Sequence, residues 1–462
     1  MNLWIKLITG MGTQVVARKR LILLALFTVS AFVSAGTVRA DGHYLKMDYP
    51  GSTNASELPT PVTYTLWIPD GVKTLRGIIV HQHGAGMTAS KEGSTAAYDL
   101  HWQALAKKWD CALLGPSYHV LNDGDLGPAG SLYWFDPRLG SDKTFRKALG
   151  DFATQTGHPE LATVPWALWG HSAGAGWADV MSTLHPERVI AVYYRSGSAL
   201  VWADRPAMFP PVTIPAASYT IPRMCSTGVK EKDLTRILLA TYGTYRTNGA
   251  PTGFAQDPRT GHECGDSRYF AIPFLDTCLA MRLPDKGSQD QTLKPVDMRG
   301  AWLAPLGGDT AVPAAQFKGN RLEAVWLPNE AVAKIWMEYV KNGTVSDVTM
   351  PPAPFVVKAA KGSGGNEITW DAEADFESGI GGFVIMRDGQ AIAKLPVAPP
   401  PKVYGRLLFQ GLSFHDTPEE PMPEMRYVDK SAKPGEKHAY TIIGINSAGV
   451  PSQPSAEAVV AP

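Results

Sequence analysis

The sequence predicts an α/β protein: a doubly wound, mostly parallel sheet followed by a C-terminal all-β sandwich. Three observations carry this. As far as about Val348, short runs that are apolar on both sides alternate with helical stretches, the pattern of parallel strands covered on both faces. Pro351-Pro352-Ala353-Pro354 then interrupts the alternation as a stiff linker. Beyond it come short alternating strands, punctuated by turns at Asp388-Gly389 and Ala448-Gly449, as in a small sandwich. The expected divisions are 1–40, a targeting segment; 41–350, the α/β domain; and 351–462, the sandwich.

In chain order, Thr63 to Pro69 alternates like a strand, and Arg76 to His81 reads as a fully buried one ending in His83-Gly84-Ala85-Gly86. A helix covers about Asp99 to Asp110, and Cys111 to Pro116 is another buried strand. The polar, Gly-rich and aromatic stretch Tyr118 to Pro137 is long for a structureless loop, and such loops often carry function. A helix from about Lys143 to Gln155 leads to a buried strand, Val164 to Trp169, then a tight turn and a helix to about Leu184. Arg188 to Tyr194 is a further strand, and Tyr219 to Cys225 a weak one because of Pro222. Helices follow at Tyr269 to Leu283, where Pro273 fits only near the first turn, and at Asn329 to Tyr339. In the last region Glu367 to Asp371, Gly382 to Arg387 and Ala439 to Ile445 read as sandwich strands.

With 462 residues the chain suggests two or three domains of roughly 150–250 residues. Lys plus Arg and Asp plus Glu both number 43, so charge gives no case for nucleic acid or an anionic membrane surface. Ala17-Arg18-Lys19-Arg20, the apolar run Leu21 to Val33 and the small residues after it predict a signal peptide cut after Ala40 or Ala35. An uncleaved anchor is the alternative, and no later stretch is apolar enough to span a membrane. Export would permit disulfides among Cys111, Cys225, Cys264 and Cys278, although Cys111 in its apolar run reads as a buried free thiol. No CxxC pair, metal cluster, P-loop or dinucleotide fingerprint is present, and no cofactor is expected.

The strongest chemical signal is Gly170-His171-Ser172-Ala173-Gly174, a G-x-S-x-G directly after a strand and before a helix. A nucleophilic serine needs such a sharp turn to stand clear of the sheet, and the flanking glycines let backbones approach. The second is the His83-Gly84-Ala85-Gly86 loop. Acyl transfer needs two N–H donors for an oxyanion, here expected from Ala173 and from Gly84 or Ala85. His262, in Thr260-Gly261-His262-Glu263-Cys264-Gly265 before a strong helix, is the expected base. His185 reads as a helix cap, His415 and His438 belong to the sandwich region, and His171 packs beneath the turn. The acid falls after a late strand, where Glu231 and Asp233 compete. Glu231 is favoured by its shorter distance from Gly228, and Asp257 and Asp266 are poorer candidates beside the histidine. Tyr133 and Trp134 either cover the sheet edge or line a substrate pocket, while Trp169 and Trp177 read as core. His81 either supports the oxyanion loop or is a satisfied buried histidine.

On the HGAG loop, the GHSAG turn and the GHECGDSRYFAIPFLD segment, the chain resembles secreted α/β-hydrolases of the esterase and polyhydroxybutyrate-depolymerase type, which include feruloyl and acetyl esterases. The resemblance covers roughly Thr63 to Val348 and implies ester hydrolysis through Ser172 and His262 without a cofactor. Glu231 would depart from the Asp usual in that group. Trp370 and the run Tyr440 to Gly449 resemble a fibronectin type III domain, often a spacer in polymer-degrading enzymes. The expected partner is an ester, and export together with the appended sandwich suits one carried on a polysaccharide or polyester. A serine peptidase or amidase on the same fold, and a non-catalytic extracellular binding protein, are the alternatives.

Overall fold

A computed structural model describes residues 42–54, 57–86, 95–120, 133–199, 211–288, 292–397, 408–419 and 424–462. Residues 1–40, the expected targeting segment, and most of the Tyr118 to Pro137 stretch lie outside the described residues. Eight strands form the main sheet: β1 (Gly42–Tyr49), β2 (Val62–Pro69), β3 (Gly77–Gln82), β4 (Cys111–Tyr118), β5 (Trp166–His171), β6 (Val189–Arg195), β7 (Arg223–Gly228) and β8 (Thr252–Asp257). Their order is β1-β2-β4-β3-β5-β6-β7-β8. β2 runs antiparallel to its neighbours, and β4 through β8 are parallel. This is the α/β-hydrolase architecture. Every residue of β3, β4, β5, β6 and β7 is buried, as strands covered on both faces must be.

The helices are α1 (Leu100–Lys108), α2 (Ser141–Thr156), α3 (Ala173–Leu184), α4 (Lys232–Thr247), α5 (Arg268–Arg282) and α6 (Glu330–Asn342). Asp99 starts α1 by accepting from the N–H groups of His101 and Trp102, and Asn329 starts α6 by accepting from Val332. From β3 the chain moves to β4 on one side, then returns to β5 on the other. The loops after β3 and β5 therefore meet at a switch point, where doubly wound sheets bind ligands.

The sequence pattern missed β1, α4, β8 and a small sheet of β9 (Trp302–Ala304), β10 (Val312–Pro313) and β11 (Val325–Leu327), all short or polar on one side. The strand expected at Tyr219 to Cys225 begins after Pro222 instead, at Arg223, and Tyr219 lies in a short 3-10 turn. Pro273 sits well inside α5, beyond its first turn.

The sandwich has a three-stranded sheet and a four-stranded one. β12 (Phe355–Gly362), β13 (Gly365–Asp371) and β16 (Arg426–Asp429) form the first. β14 (Ile380–Arg387), β15 (Gln390–Leu395), β17 (His438–Asn446) and β18 (Ala458–Val460) form the second. Alternate residues point inward, so Ile368, Trp370, Phe383, Tyr440 and Ile442 make its core, with Trp370 edge-on to Phe383 at 5.3 Å. This is the fibronectin type III-like unit expected from Trp370.

The two halves share packing. Leu100, at the start of α1, is buried in the sandwich core, whereas Trp102 and Leu105 belong to the core of the main sheet. The stretch between β15 and β16 returns to the α/β half. Gln410 accepts from Leu100 N–H (3.0 Å) and donates to the Tyr98 carbonyl (2.6 Å). Asp416 is fully buried and accepts from Arg268 Nε (2.9 Å), Trp102 Nε1 (3.1 Å) and His81 Nε2 (3.2 Å). Arg268 also donates to both carboxylate oxygens of Asp99, at 2.6 and 3.2 Å.

Burial would raise the Asp416 carboxyl, but the charge of Arg268 and the hydrogen bond from His81 bring it down to about 2. Its folded value lies below the ordinary 3.8, so its stabilisation is complete above that value and lost as pH falls toward about 2. Asp416→Asn leaves Arg268 short of a counter-charge and should destabilise the protein by roughly 3 kcal/mol at neutral pH. Urea denaturation at pH 7 and at pH 3 checks this, with the difference between variant and wild type shrinking at the lower pH.

Candidate active site

β5 ends at His171 and α3 begins at Ala173, which leaves Ser172 alone to make the turn. It does so at φ 55° and ψ −117°, a region that costs a non-glycine residue about 1–3 kcal/mol. Surrounding bonds enforce it. Ser172 N–H donates to the Arg195 carbonyl at 2.8 Å, and the Ser172 carbonyl accepts from Ala175 (3.0 Å) and Gly176 (3.2 Å). A Cβ on Gly170 would overlap the Gly174 carbonyl, and one on Gly174 would overlap the carbonyls of Gln82 and His83. Both glycines thus permit the close approach that the motif predicted. The serine hydroxyl is presented at the C-terminal edge of the sheet, and the residue is only half-buried.

His262 follows β8, and its Nε2 lies 2.9 Å from Ser172 Oγ. Its Nδ1 hydrogen-bonds Glu231 Oε1. Because Nδ1 faces a carboxylate, it carries the hydrogen, and Nε2 is left to accept from the serine. Glu231 is the residue just before α4, after β7. Its other oxygen accepts from Ser196 Oγ (2.6 Å) and Thr227 Oγ1 (3.1 Å). Burial would raise its carboxyl, but the hydrogen bond and charge of His262, with Ser196 and Arg195, hold it below the ordinary glutamate value. The side chain of His262 is 33% exposed and that of Glu231 only 10%, so the imidazole can meet a substrate while the acid stays behind it.

The structure thus brings together Ser172, His262 and Glu231. Asp233 is exposed in the first turn of α4, and Asp257 and Asp266 engage Arg259. His185 ends α3 and bonds Asp142 at 2.7 Å.

Two groups not singled out in the sequence hold this arrangement. Arg195, wholly buried at the end of β6, donates to Thr260 Oγ1 (2.8 Å) and to the carbonyls of Gly261 (3.3 Å) and Glu263 (3.2 Å), gripping the His262 loop on both sides. Its neighbour Ser196, at φ 54°, turns its hydroxyl onto Glu231. The available signal was a charged residue closing a run of buried apolar ones, which needs a polar partner wherever it ends. Gly228 is the third device: a Cβ there would overlap the carbonyls of Thr260 and Gly261, so the acid loop and the base loop touch through it.

Ala173 is the first residue of α3, where a leading N–H lacks an intrahelical acceptor. The helix end adds partial positive charge beside the serine. Gly84 and Ala85 lie in the loop after β3, directly after Gln82 and His83, whose carbonyls press onto α3 at Gly174. His83 fixes that loop. Its Nε2 accepts from Tyr118 N–H at 3.3 Å and its Nδ1–H donates to the Gly84 carbonyl, while burial lowers its pKa to about 4 and keeps it neutral. Trp134 has no accessible surface and stacks on Tyr118 at 4.2 Å, with the His83 ring at 5.5 Å. It covers the sheet and supports the loop, so it is not a pocket wall. Tyr133 is the first residue of the same short 3-10 turn.

His171 packs beneath the turn, as expected, and its partners are specific. Its Nε2–H donates to the His262 carbonyl at 2.7 Å, so its Nδ1 must accept, and the group 2.8 Å away is His415 Nδ1. His415, expected within the sandwich, therefore stands against the site. The sequence separation of 244 residues hid this contact. His81 is a buried core histidine, stacked on Trp169 at 3.8 Å and bonded through Nε2 to Asp416, while its buried Nδ1 has no hydrogen-bond partner among the described residues. Trp169 and Trp177 are core. All four cysteines are buried and unpaired. No helix among the described residues is long and apolar enough to cross a membrane.

No family model matches the chain, and no curated protein matches it. Among solved structures, a ferulic acid esterase is similar at 14% identity and TM-score 0.38, over 52% of this chain and 100% of that one. An S-formylglutathione hydrolase from Agrobacterium tumefaciens is similar at 14% and 0.34, over 53% and 95%. A Fn3-like protein from Clostridium thermocellum matches 24% of this chain and 93% of its own at 20% identity, with a TM-score of 0.16.

Gly228→Ala tests the contact between the two loops. A methyl group there forces them apart, and the expected result is a loss of about 1–3 kcal/mol in chemical denaturation. The His262 ring signals in an NMR spectrum should shift with it.

Proposed function

We propose that this chain is an exported serine esterase that works through an acyl-enzyme. The observation that carries the reading is the hydrogen-bonded series Glu231–His262–Ser172, with the serine held strained at the N-terminus of α3. Ser172 Oγ attacks the ester carbonyl as His262 Nε2 takes its proton. The N–H of Ala173, with that of Gly84 or Ala85, faces the oxyanion. The tetrahedral intermediate collapses, the carbon–oxygen bond to the alcohol breaks, and His262 returns the proton to the departing alkoxy oxygen. Water, deprotonated by the same imidazole, then releases the acid and restores the serine. Glu231 keeps Nδ1 protonated and stabilises the imidazolium. Export is supported by the basic and apolar leader, and a polymer-borne ester by export together with the appended sandwich.

Labelling with a fluorophosphonate tests the nucleophile and base. Wild type should label, and Ser172→Ala and His262→Ala should not. Label on Ser172→Ala would overturn the assignment. Glu231→Gln should retain the fold and lose roughly 10³- to 10⁴-fold in kcat, because the amide cannot orient and balance the imidazolium. A panel of esters and anilides sharing one acyl group separates esterase from amidase, with turnover expected on the esters. Turnover of small soluble esters and none of polymeric ones would remove the polymer part of the reading.

A further inference from the structure

The stretch 412–417 plays no part in the chemistry above, yet it touches three loops of the site. The Phe414 carbonyl accepts from Cys264 N–H in the base loop at 3.4 Å. His415 Nδ1 meets His171 in the serine turn, and a Cβ on Gly84 in the oxyanion loop would overlap the His415 ring. The stretch is braced from within. Ser413 N–H donates to the Thr417 carbonyl at 2.8 Å, and His415 N–H donates to Ser413 Oγ at 3.1 Å. Asp416, at φ 60°, then anchors it through Arg268, Trp102 and His81. On this fixed turn one large apolar ring faces outward. Phe414 is 37% exposed, and its ring centre lies 5.9 Å from that of His262 and 5.8 Å from that of His171.

The position of that ring decides what it can touch. In ester cleavage the alkoxy oxygen takes its proton from His262 Nε2, so the alcohol half of the substrate leaves along the histidine. The acyl half stays on Ser172. A phenyl group fixed beside His262 therefore borders the alcohol.

We propose that Phe414, supplied by the C-terminal half of the chain, is the wall of the leaving-alcohol subsite and selects alcohols that present an apolar ring face. The inference rests on the esterase reading. A sugar ring and an aromatic ring share this chemistry, since each offers a C–H or π face to a phenyl group. The sandwich thus contributes a specificity determinant to the site.

The test uses the full chain and two ester series. One keeps a single acyl group and varies the alcohol: methanol, benzyl alcohol, and the primary hydroxyl of a methyl glycoside. The other keeps methanol and varies the acyl chain. Wild type should favour the ring alcohols, and the benzyl and glycoside arms show which ring is preferred. In Phe414→Ala the ratio of kcat/KM between ring and methyl esters should fall roughly tenfold, mainly through KM. Phe414→Trp, which keeps a ring face, should preserve most of that ratio. The acyl series should keep its wild-type rank order in both variants, a readout that general loosening of the site would not leave intact. A wild type that labels with fluorophosphonate and hydrolyses esters but does not distinguish methanol from ring alcohols overturns this inference alone. So does a ratio unchanged by Phe414→Ala. A wild type that neither labels nor hydrolyses any ester overturns the esterase reading, and this inference with it.

Discussion

The guanidinium of Arg268 lies out of reach of water between two carboxylates, Asp99 and Asp416. A buried cation must be matched by charge and by acceptors for its N–H groups, and here each carboxylate belongs to a different part of the chain. Asp99 is the residue that starts α1. Asp416 belongs to the stretch linking strands of the sandwich. Arg268 itself opens α5, a few residues after His262. One side chain therefore sets three things at once: the start of the helix that shares both cores, the seat of the C-terminal half, and the far end of the loop that carries the imidazole.

The site is assembled by strand adjacency. The loops after β3, β5, β6, β7 and β8 supply Gly84, Ser172, Ser196, Glu231 and His262 respectively, all at the same edge of the sheet. Parallel pairing brings those ends side by side, and the close contacts at Gly170, Gly174 and Gly228 remove the remaining space. Arg195 supplies the restraint that adjacency cannot, because a loop held by main-chain carbonyls keeps its path whatever its side chains do. Strain at Ser172 persists for the same reason: the residues around it are over-determined by their own hydrogen bonds.

Much of this was legible in the sequence. The GHSAG turn could be placed because a buried strand precedes it and a helix follows. Glu231 could be preferred to Asp233 because it lies closer to Gly228 at the end of its strand, and Asp233, two residues further on, is exposed in the first turn of α4. What stayed hidden depends on long-range contact. Arg195 reads as a charge at a strand end until the loop it holds is known. His415 and Asp416 carry no local pattern, and their partners lie 244 and 148 residues away. β1 and β8 were missed for another reason: β1 is partly exposed along its length, and β8, though almost wholly buried, carries the polar residues Thr252, Gln256 and Asp257 in place of an apolar run.

The route of the chain through Asp416 has a bearing on timing. Synthesis proceeds from the N-terminus, so a nascent chain already holds the serine, the acid and the base well before residue 416 is made. At that stage Arg268 has only Asp99 opposite it, and the segment that seats His415 and Phe414 beside the imidazole does not yet exist. The proposed reactive residues thus receive this support from a segment made well after them, and a chain cut short before it would keep those residues without Phe414 and His415 beside the imidazole.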